Sequence, residues 1–504
     1  MPVEVRLAAA QLRLRYAAPL FTLAAAVVFL VTRPPVGDFW AARARQSAAA
    51  HGVGLQYWFS WFGGTIPGHY SVIDSLVTKF VDAGLLGAVS TVAITPICYR
   101  LLRGTPHQLL GTWLAAIATV FSLWSGRVPF ALGTVLMISA LLAVRAERRT
   151  LAALLGIAAA LASPVSGAFL IIGLTGVVLH DQRRRTVSLW ALGAAGISLL
   201  VVAFYFGTPG PQSFSWGSAA VTAGSIAVLL VAKPPQYIRT VLILSLAACP
   251  LLVLIPNGMG SNFERFTWIC LPVAVAATAR ARMLLVVLSA GAATACGVVG
   301  SVHDLVVAAQ PNSNIAYYDP LNGRLDHTSG LADYRVEVVS DGVHVAAYAL
   351  LNHALLARGY ETQSDNAFNS VLASPSLDAT TFKLWLDNNA VGYVAIDRKP
   401  LVSGPEYRLV RSGTLPYLHQ VWSDAHWQLF RVSDASPIVA PPARVVVAAQ
   451  ARLVISAPRT GTFALRVRWS RFLQVRGPQG ALLRSDGQGW TTLAVTRPGS
   501  YVIS

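Results

Sequence analysis

Lysine is nearly missing from this chain. Its 504 residues hold four, Lys79, Lys233, Lys383 and Lys399, and none follows a glycine loop. A P-loop is thereby excluded, because its backbone amides must wrap the phosphates just ahead of the lysine. HExxH, paired CxxC, GxSxG and a GxGxxG between strand and helix are missing too, which leaves zinc-hydrolase, serine-hydrolase and dinucleotide readings without support. No pattern calls for a metal or a cofactor, and His51 and His69 stand without a ligand cluster. Cysteine is as scarce. Cys98, Cys249, Cys270 and Cys296 lie in or beside apolar runs and read as small buried hydrophobes, so no disulfide framework is expected in the C-terminal part. Acids are few in residues 1–303, seven against 21 Lys and Arg, whereas residues 304–504 hold 15 against 18.

What is present is apolar length. Residues 1–303 form a ladder of long apolar runs with short basic loops, and residues 304–504 read as an ordinary soluble region. With 54% hydrophobic and only 12% charged residues, the chain is expected to be a multi-pass membrane protein. The net charge of +17 therefore does not point to nucleic acid: most of it sits between apolar runs, where basic residues set orientation, and no basic and aromatic strip accompanies it. Eleven spans are predicted, near 16–32, 83–99, 107–123, 128–144, 150–163, 165–180, 188–206, 217–232, 238–255, 266–279 and 283–302. The fifth and sixth meet at Ser163-Pro164 and would also fit one kinked element. The first run ends in Thr32-Arg33-Pro34-Pro35 without a small-residue cleavage site and reads as a signal anchor. With the N-terminus in the cytoplasm, the inner loops carry 15 basic residues and the outer ones six. That bias and an odd span count put the C-terminal region outside the cytoplasm, at the plasma membrane.

The first outer loop, 33–82, is crowded with Trp40, Tyr57, Trp58, Phe59, Trp61, Phe62 and Tyr70, which predicts helices lying in the headgroup layer around a turn at Gly63-Gly64 and Pro67-Gly68. Outer acids are few: Asp38, Asp74, Asp82 and Glu264. Asp38, just past the first span, is placed to act as a general base toward a sugar hydroxyl; the plainer alternative is a helix-capping or solvated residue. Arg265, in Asn257-Gly258-Met259-Gly260-Ser261-Asn262-Phe263-Glu264-Arg265, would hold a phosphate, helped by glycine amides, or else anchor the interface. Arg127 is a third polar group at the outer rim, or snorkels to headgroups. His69, Tyr70, Asn262 and Glu264 are further candidates for substrate contact.

In the C-terminal region, an α/β part over 304–435 is followed by a β-sandwich over 436–504. Strands are predicted at 335–339, 391–396 and 427–432, and helices at 344–359 and 382–389. Beyond Pro437, Pro441 and Pro442, alternating runs separated by turns every 8–12 residues predict the sandwich, with Trp469 and Trp490 either sugar-stacking or core. Arg358 and Asp365, in the polar segment after Leu356, are candidates for substrate binding or for a loop that fixes the α/β layer.

The segments GRVPFALG (126–133), LASPVSGAFL (161–170) and NFERFTWICLP (262–272), set behind a first span and a long outer loop with an early acid, resemble the GT-C superfamily of polyprenyl-phosphate-sugar-dependent glycosyltransferases. The segments RVEVV, ARGYETQSDNAFN, WLDNNAVGYVAID and YLHQVWSDAHWQLFRV carry a second resemblance, over nearly the whole chain, to a group of actinobacterial integral membrane proteins, a likeness that names no activity. The first implies a GT-C-like helical bundle, with Asp38 as base and Arg265 at the lipid phosphate. Donor and acceptor would be a polyprenyl-phosphate sugar and an envelope glycan. Where many members carry paired acids, Asp38 is followed by Phe39. A non-catalytic envelope-assembly or carbohydrate-binding protein and a transporter or flippase of envelope lipids stay open beside it. The transporter reading is weakened by the absence of internal duplication and of ionisable rows within the spans.

Overall fold

The computed structural model describes residues 3–340 and 342–504, with side chains from residue 16 on; Arg6, Arg13 and Arg15, counted above among inner basic residues, have side chains outside the described residues. The chain divides into two compact units, Met1–Ala42 with His69–Val306, and Arg43–Gly68 with Val307–Ser504.

The first unit is helical. Its elements are α1 (Val3–Thr32), α2 (Gly37–Ala50), which runs on past Ala42, α3 (Val72–Val77), α4 (Ala83–Leu101), α5 (Gln108–Trp124), α6 (Val128–Arg145) and α7 (Arg149–Ala162). They continue with α8 (Pro164–His180), α9 (Arg185–Phe206), α10 (Trp216–Val231), α11 (Gln236–Leu254), α12 (Phe263–Arg265), α13 (Leu271–Thr278) and α14 (Met283–Ala308). Every apolar run of the sequence is helical, but eleven membrane spans are not found. Among the described residues five helices, α4, α6, α9, α11 and α14, are long and apolar enough to cross a membrane; a sixth counts if α1 and α2, bent by 69° at their junction, form one span. The others are too short. At 1.5 Å per residue, the 14 to 17 residues of α5, α7, α8 and α10 reach only about 21–26 Å, against about 30 Å of hydrocarbon. The run at 266–279 is interrupted by a π-helical turn, Phe266–Cys270. At the Ser163-Pro164 junction, extended Ser163 ends α7 and caps α8 through its side chain, so these are two helices.

The basic loops pair at one end of this unit. Arg145 donates to the carbonyls of Leu101 and Arg103, Arg183 pairs with Glu147, and the Arg280 amide donates to the Lys233 carbonyl.

The second unit holds α15 (Asp319–Asp326), β1 (Arg335–Val338), α16 (Ala346–Ala349), α17 (Thr362–Phe368), α18 (Ala379–Asn388), β2 (Val391–Asp397), α19 (Pro405–Arg411), β3 (Leu418–Ser423) and β4 (Trp427–Val432). These strands form one sheet, ordered β1-β2-β4-β3, with β1 parallel to β2 and the other pairs antiparallel. All of β2 is buried, as its unbroken apolar run requires. After them come β5 (Arg444–Ala449), β6 (Arg452–Ala457), β7 (Gly461–Arg468), β8 (Val475–Arg476), β9 (Leu482–Ser485), β10 (Trp490–Val495) and β11 (Gly499–Ile503), in sheets β7-β10-β9 and β5-β6-β11-β8. Their inward residues, among them Leu453, Ile455, Leu465, Val467, Leu493 and Tyr501, share one core, as in a β-sandwich.

Two expectations are corrected here. The helix at 344–359 is a single turn, α16; Leu355 and Ala357 instead exchange backbone hydrogen bonds with Val336, extending the sheet beyond β1. Tertiary pairing overrides a helical apolar period. Five of the loop aromatics belong to a protein core instead of facing outward. Tyr57, Trp58, Phe59, Trp61 and Phe62 are all buried, and their segment is stitched into the second unit: Phe59 N donates to Gln450 O, Leu356 N to Ser60 O, the Trp61 indole to Ala347 O and the Tyr57 hydroxyl to Arg468 O. Gly359 is needed there, since a Cβ on it would lie 2.4 Å from the Trp61 ring.

A fragment of residues 307–504 alone is therefore expected to unfold without a cooperative transition and to bind a hydrophobic dye. Joining residues 43–68 to it through a flexible linker should restore a sharp melt. Equal melts for both fragments would show that the aromatic segment is dispensable.

Candidate functional site

Asp38 falls in the first turn of α2, where the helix dipole favours an acid. Arg127 is the N-cap of α6, and Arg265 ends α12. The fold brings these residues together, although 89 or more positions separate each from the next in sequence. Asp38 Oδ2 lies 3.6 Å from Arg127 Nε and 3.7 Å from Arg265 Nη2. Arg127 Nη2 also donates to Asp304 Oδ2 at 3.4 Å, and the Arg265 guanidinium sits 5.5 Å above the centre of the Phe130 ring. These ion pairs are longer than a direct charge-assisted hydrogen bond, and the four side chains are 19% to 36% exposed, so the cluster is reachable.

Gly126 makes the arrangement. It adopts φ +80°, and a Cβ on it would stand 2.3 Å from the Phe39 amide nitrogen. Only glycine lets the start of α6 approach α2 so closely.

Of the other sequence candidates in this unit, Glu264 is part of the same neighbourhood. Burial pushes its carboxyl up, against a hydrogen bond with Ser218 and the fields of Arg127 and Arg265. Asn262 lies at the end of a 3₁₀ turn just before α12, and His69 and Tyr70 are half-buried ahead of α3. The Gly260 amide is already engaged within its own loop. The Asn257 side chain already accepts from the Met259 and Gly260 amides, and Gly260 packs on the Gln212 carbonyl. Asp304 was missed because it sits at the end of the last apolar run, where an acid reads as the start of the soluble region. Its signal is an aspartate inside a 26-residue apolar helix. Among the described residues no group of three or more His, Cys, Asp or Glu is placed to hold a metal.

Comparison with protein-family models and with curated proteins finds no match.

The second unit contains its own polar network. Arg358 Nε and Nη2 clasp Asp365 at 2.9 and 2.6 Å, its Nη1 reaches Glu406 at 3.1 Å, and Glu337 stands 3.7 Å away. Glu337 comes from β1 and Glu406 from α19, and both are buried within hydrogen-bond reach of each other. Among the described residues no donor meets either Glu337 oxygen or Glu406 Oε1. One shared proton turns this clash into a donor–acceptor pair. Burial pushes the Glu406 carboxyl up to about 7, against Arg358, and holds Glu337 well above its ordinary range, with Glu406 adding to the push. Burial opposes ionisation of Asp365 as well, yet Arg358 holds it below the ordinary value. Sequence reasoning found Arg358 and Asp365 but not their partners, since Glu337 lies in a strand and Glu406 well downstream.

The two tryptophans read as either sugar-stacking or core fare differently. The Trp490 face is taken by the Arg468 guanidinium, 4.6 Å from its centre, while Trp469 is 38% exposed.

Because the Glu337–Glu406 pair binds its proton more tightly in the fold, its contribution to stability is full below the ordinary carboxylate range and lost as pH rises through about 7. Asp365 acts oppositely, losing its contribution only as pH falls below that range. The melting temperature of the second unit, followed in the full chain in detergent, should drop by at least roughly 3 °C between about pH 5 and pH 8. Glu406→Gln should flatten that slope. A pH-independent melt of the unaltered protein would rule out the shared proton.

Proposed function

We propose that the chain is a membrane glycosyltransferase of the GT-C kind, which moves a sugar from a polyprenyl-phosphate donor to an envelope glycan at the outer face. The observation that carries this reading is the convergence of Asp38, Arg127 and Arg265 at the ends of apolar helices. A lipid-borne phosphate needs cations at the edge of the hydrocarbon layer, and arginine binds it in bidentate fashion. An acceptor hydroxyl needs a carboxylate beside that phosphate. In the proposed step the bond between anomeric carbon and phosphate oxygen breaks, and its electron pair leaves with the lipid phosphate, stabilised by Arg265 and Arg127. The acceptor oxygen forms the glycosidic bond and passes its proton to Asp38. A phosphate that draws one guanidinium toward itself loosens that arginine's hold on Asp38, so donor binding would free a carboxylate oxygen for the acceptor. Asp304 would act through Arg127, as a positioning residue.

The loop pairs at the other end of the unit carry Arg103, Arg145, Arg183, Lys233 and Arg280, which supports a cytoplasmic setting for that end and for the N-terminus. The C-terminal region would then be extracytoplasmic.

With a defined polyprenyl-phosphate sugar, Asp38→Asn should lower transfer by at least about 10²-fold while expression and melting hold. Arg265→Ala should act chiefly on the KM for donor. Full transfer by a folded Asp38→Asn protein would remove Asp38 from the mechanism. A chain that turns over no donor would favour the non-catalytic, carbohydrate-binding alternative.

Orientation has a separate check. A cysteine at exposed Ser485 should react with a membrane-impermeant thiol reagent in intact cells, and one at exposed Gln182 only after lysis. The reverse pattern would invert the topology.

A further inference from the structure

A cleft of about 190 Å³ opens in the second unit where β1 ends, lined by Ser340, His344, Arg358, Tyr360, Thr362 and Asp365 among others. It lies beyond the carboxyl end of a strand that pairs in parallel, a usual place for a ligand in an α/β layer. We propose that this cleft binds a neutral, hydroxyl-rich saccharide unit.

The charges disfavour the obvious competitor. Among the described residues lining the cleft, Arg358 carries the one guanidinium or ammonium group. Its Nε and Nη2 are taken by Asp365, and its Nη1 faces Glu406 and Glu337. Three carboxyl groups thus surround the one charge of Arg358 and leave it little field for a phosphate or carboxylate, and Asp365 on the same wall would repel one, while the Glu361 carboxylate is set against Arg45 at 3.9 Å. What the wall offers instead suits a hydroxyl. Asp365 Oδ1 accepts from Arg358 Nε and Asn369 Nδ2, and Oδ2 from Arg358 Nη2 alone. One of the four acceptor directions of the carboxylate remains, on Oδ2, and the three bonds already made fix where it points. The hydroxyls of Ser340, Tyr360 and Thr362 can each donate or accept, as a sugar hydroxyl can. Tyr360 and His344 meet edge to face, their ring centres 5.4 Å apart, and present an aromatic wall to the C–H face of a pyranose or furanose ring. The volume fits one sugar unit rather than a drug-sized ligand.

This goes beyond the transfer reaction and does not rest on it, since a saccharide can be held here whether or not the first unit moves one. The test is saturation-transfer NMR and titration on the full chain in detergent. The probes are the methyl glycosides of glucose, mannose, galactose and arabinose, with glucuronic acid and inorganic phosphate as anionic comparators. At least one neutral glycoside should bind saturably. Tyr360→Ala should weaken it by about three- to tenfold with the melting curve unchanged, the range one aromatic contact supplies. Thr362→Ala, on the same wall, should weaken it less. Asp365→Asn should also weaken it; because this variant disturbs Arg358, its melt is recorded alongside, and Tyr360→Ala decides if it unfolds. Asp38→Asn should leave glycoside binding intact, which separates this proposal from the transfer reaction. Saturation by none of the four glycosides, binding of the anionic probes alone, or affinity unmoved by Tyr360→Ala would each overturn it.

Discussion

The polar end of the first unit depends on how closely Gly126 approaches Phe39. Arg127 follows the glycine and Asp38 precedes the phenylalanine, so contact between the two backbones sets the opposite charges side by side. The Phe39 ring is held in turn by Phe29 of α1, edge to face at 5.3 Å, and it also abuts Gly84 of α4. Three helices thus share in fixing one carboxylate. Arginines at the end of apolar helices are costly unless paired, and here Asp304 and Asp38 face Arg127 and Arg265.

The second unit solves the same problem without carboxylates in one place and with a surplus of them in another. Arg335 is buried and pairs with no acid among the described residues; its Nη1 and Nη2 donate to the Asn389 and Arg466 carbonyls. Arg468 donates to the Phe62 carbonyl, and its guanidinium lies between the rings of Phe368 and Trp490. Burial lowers the affinity of both arginines for their protons, to about 10. Carbonyl dipoles and aromatic faces replace counter-ions there, and the Phe62 carbonyl comes from the 43–68 segment. This segment is therefore a structural part of the second unit, although in sequence it looks like a loop at the membrane surface.

Much of this was readable from the chain. Each apolar run marked a helix, and the alternating runs after Pro442 marked β5, β6, β7, β10 and β11. Strands β2 and β4 stood out because their side chains are apolar for reasons of local burial. The failures share a cause. Whether a run of 14 to 17 apolar residues crosses a membrane depends on geometry that composition does not carry. The Tyr57–Phe62 aromatics are as apolar in a protein core as in a headgroup layer, and only their hydrogen-bond partners, far along the chain, decide between the two. Likewise Leu355 and Ala357 follow a helical period and still pair with Val336. At the sites, Asp38, Arg127, Arg265, Arg358 and Asp365 were legible as isolated charges in apolar or polar settings. Glu337 and Glu406 were not, because nothing local separates a buried acid from a solvated one, and Asp304 was passed over although it sits inside an apolar helix.

The two networks differ in a way that bears on what each can do. Around Arg358 the contacts to Asp365 and Glu406 are 2.6 to 3.1 Å, and Glu337 and Glu406 are almost inaccessible. Breaking such a set leaves charges stranded in a low dielectric, at a cost of about 3–5 kcal/mol for a buried pair, so its members hold one arrangement and shape the wall in front of them. Around Asp38 the separations are 3.4 to 3.7 Å, with side chains 19% to 36% open to solvent. Pairs of that kind contribute little to stability and give up a partner easily. A site that must accept an anion and hand a proton to its own carboxylate needs the second sort of network, and a site that must present one fixed acceptor to a hydroxyl needs the first.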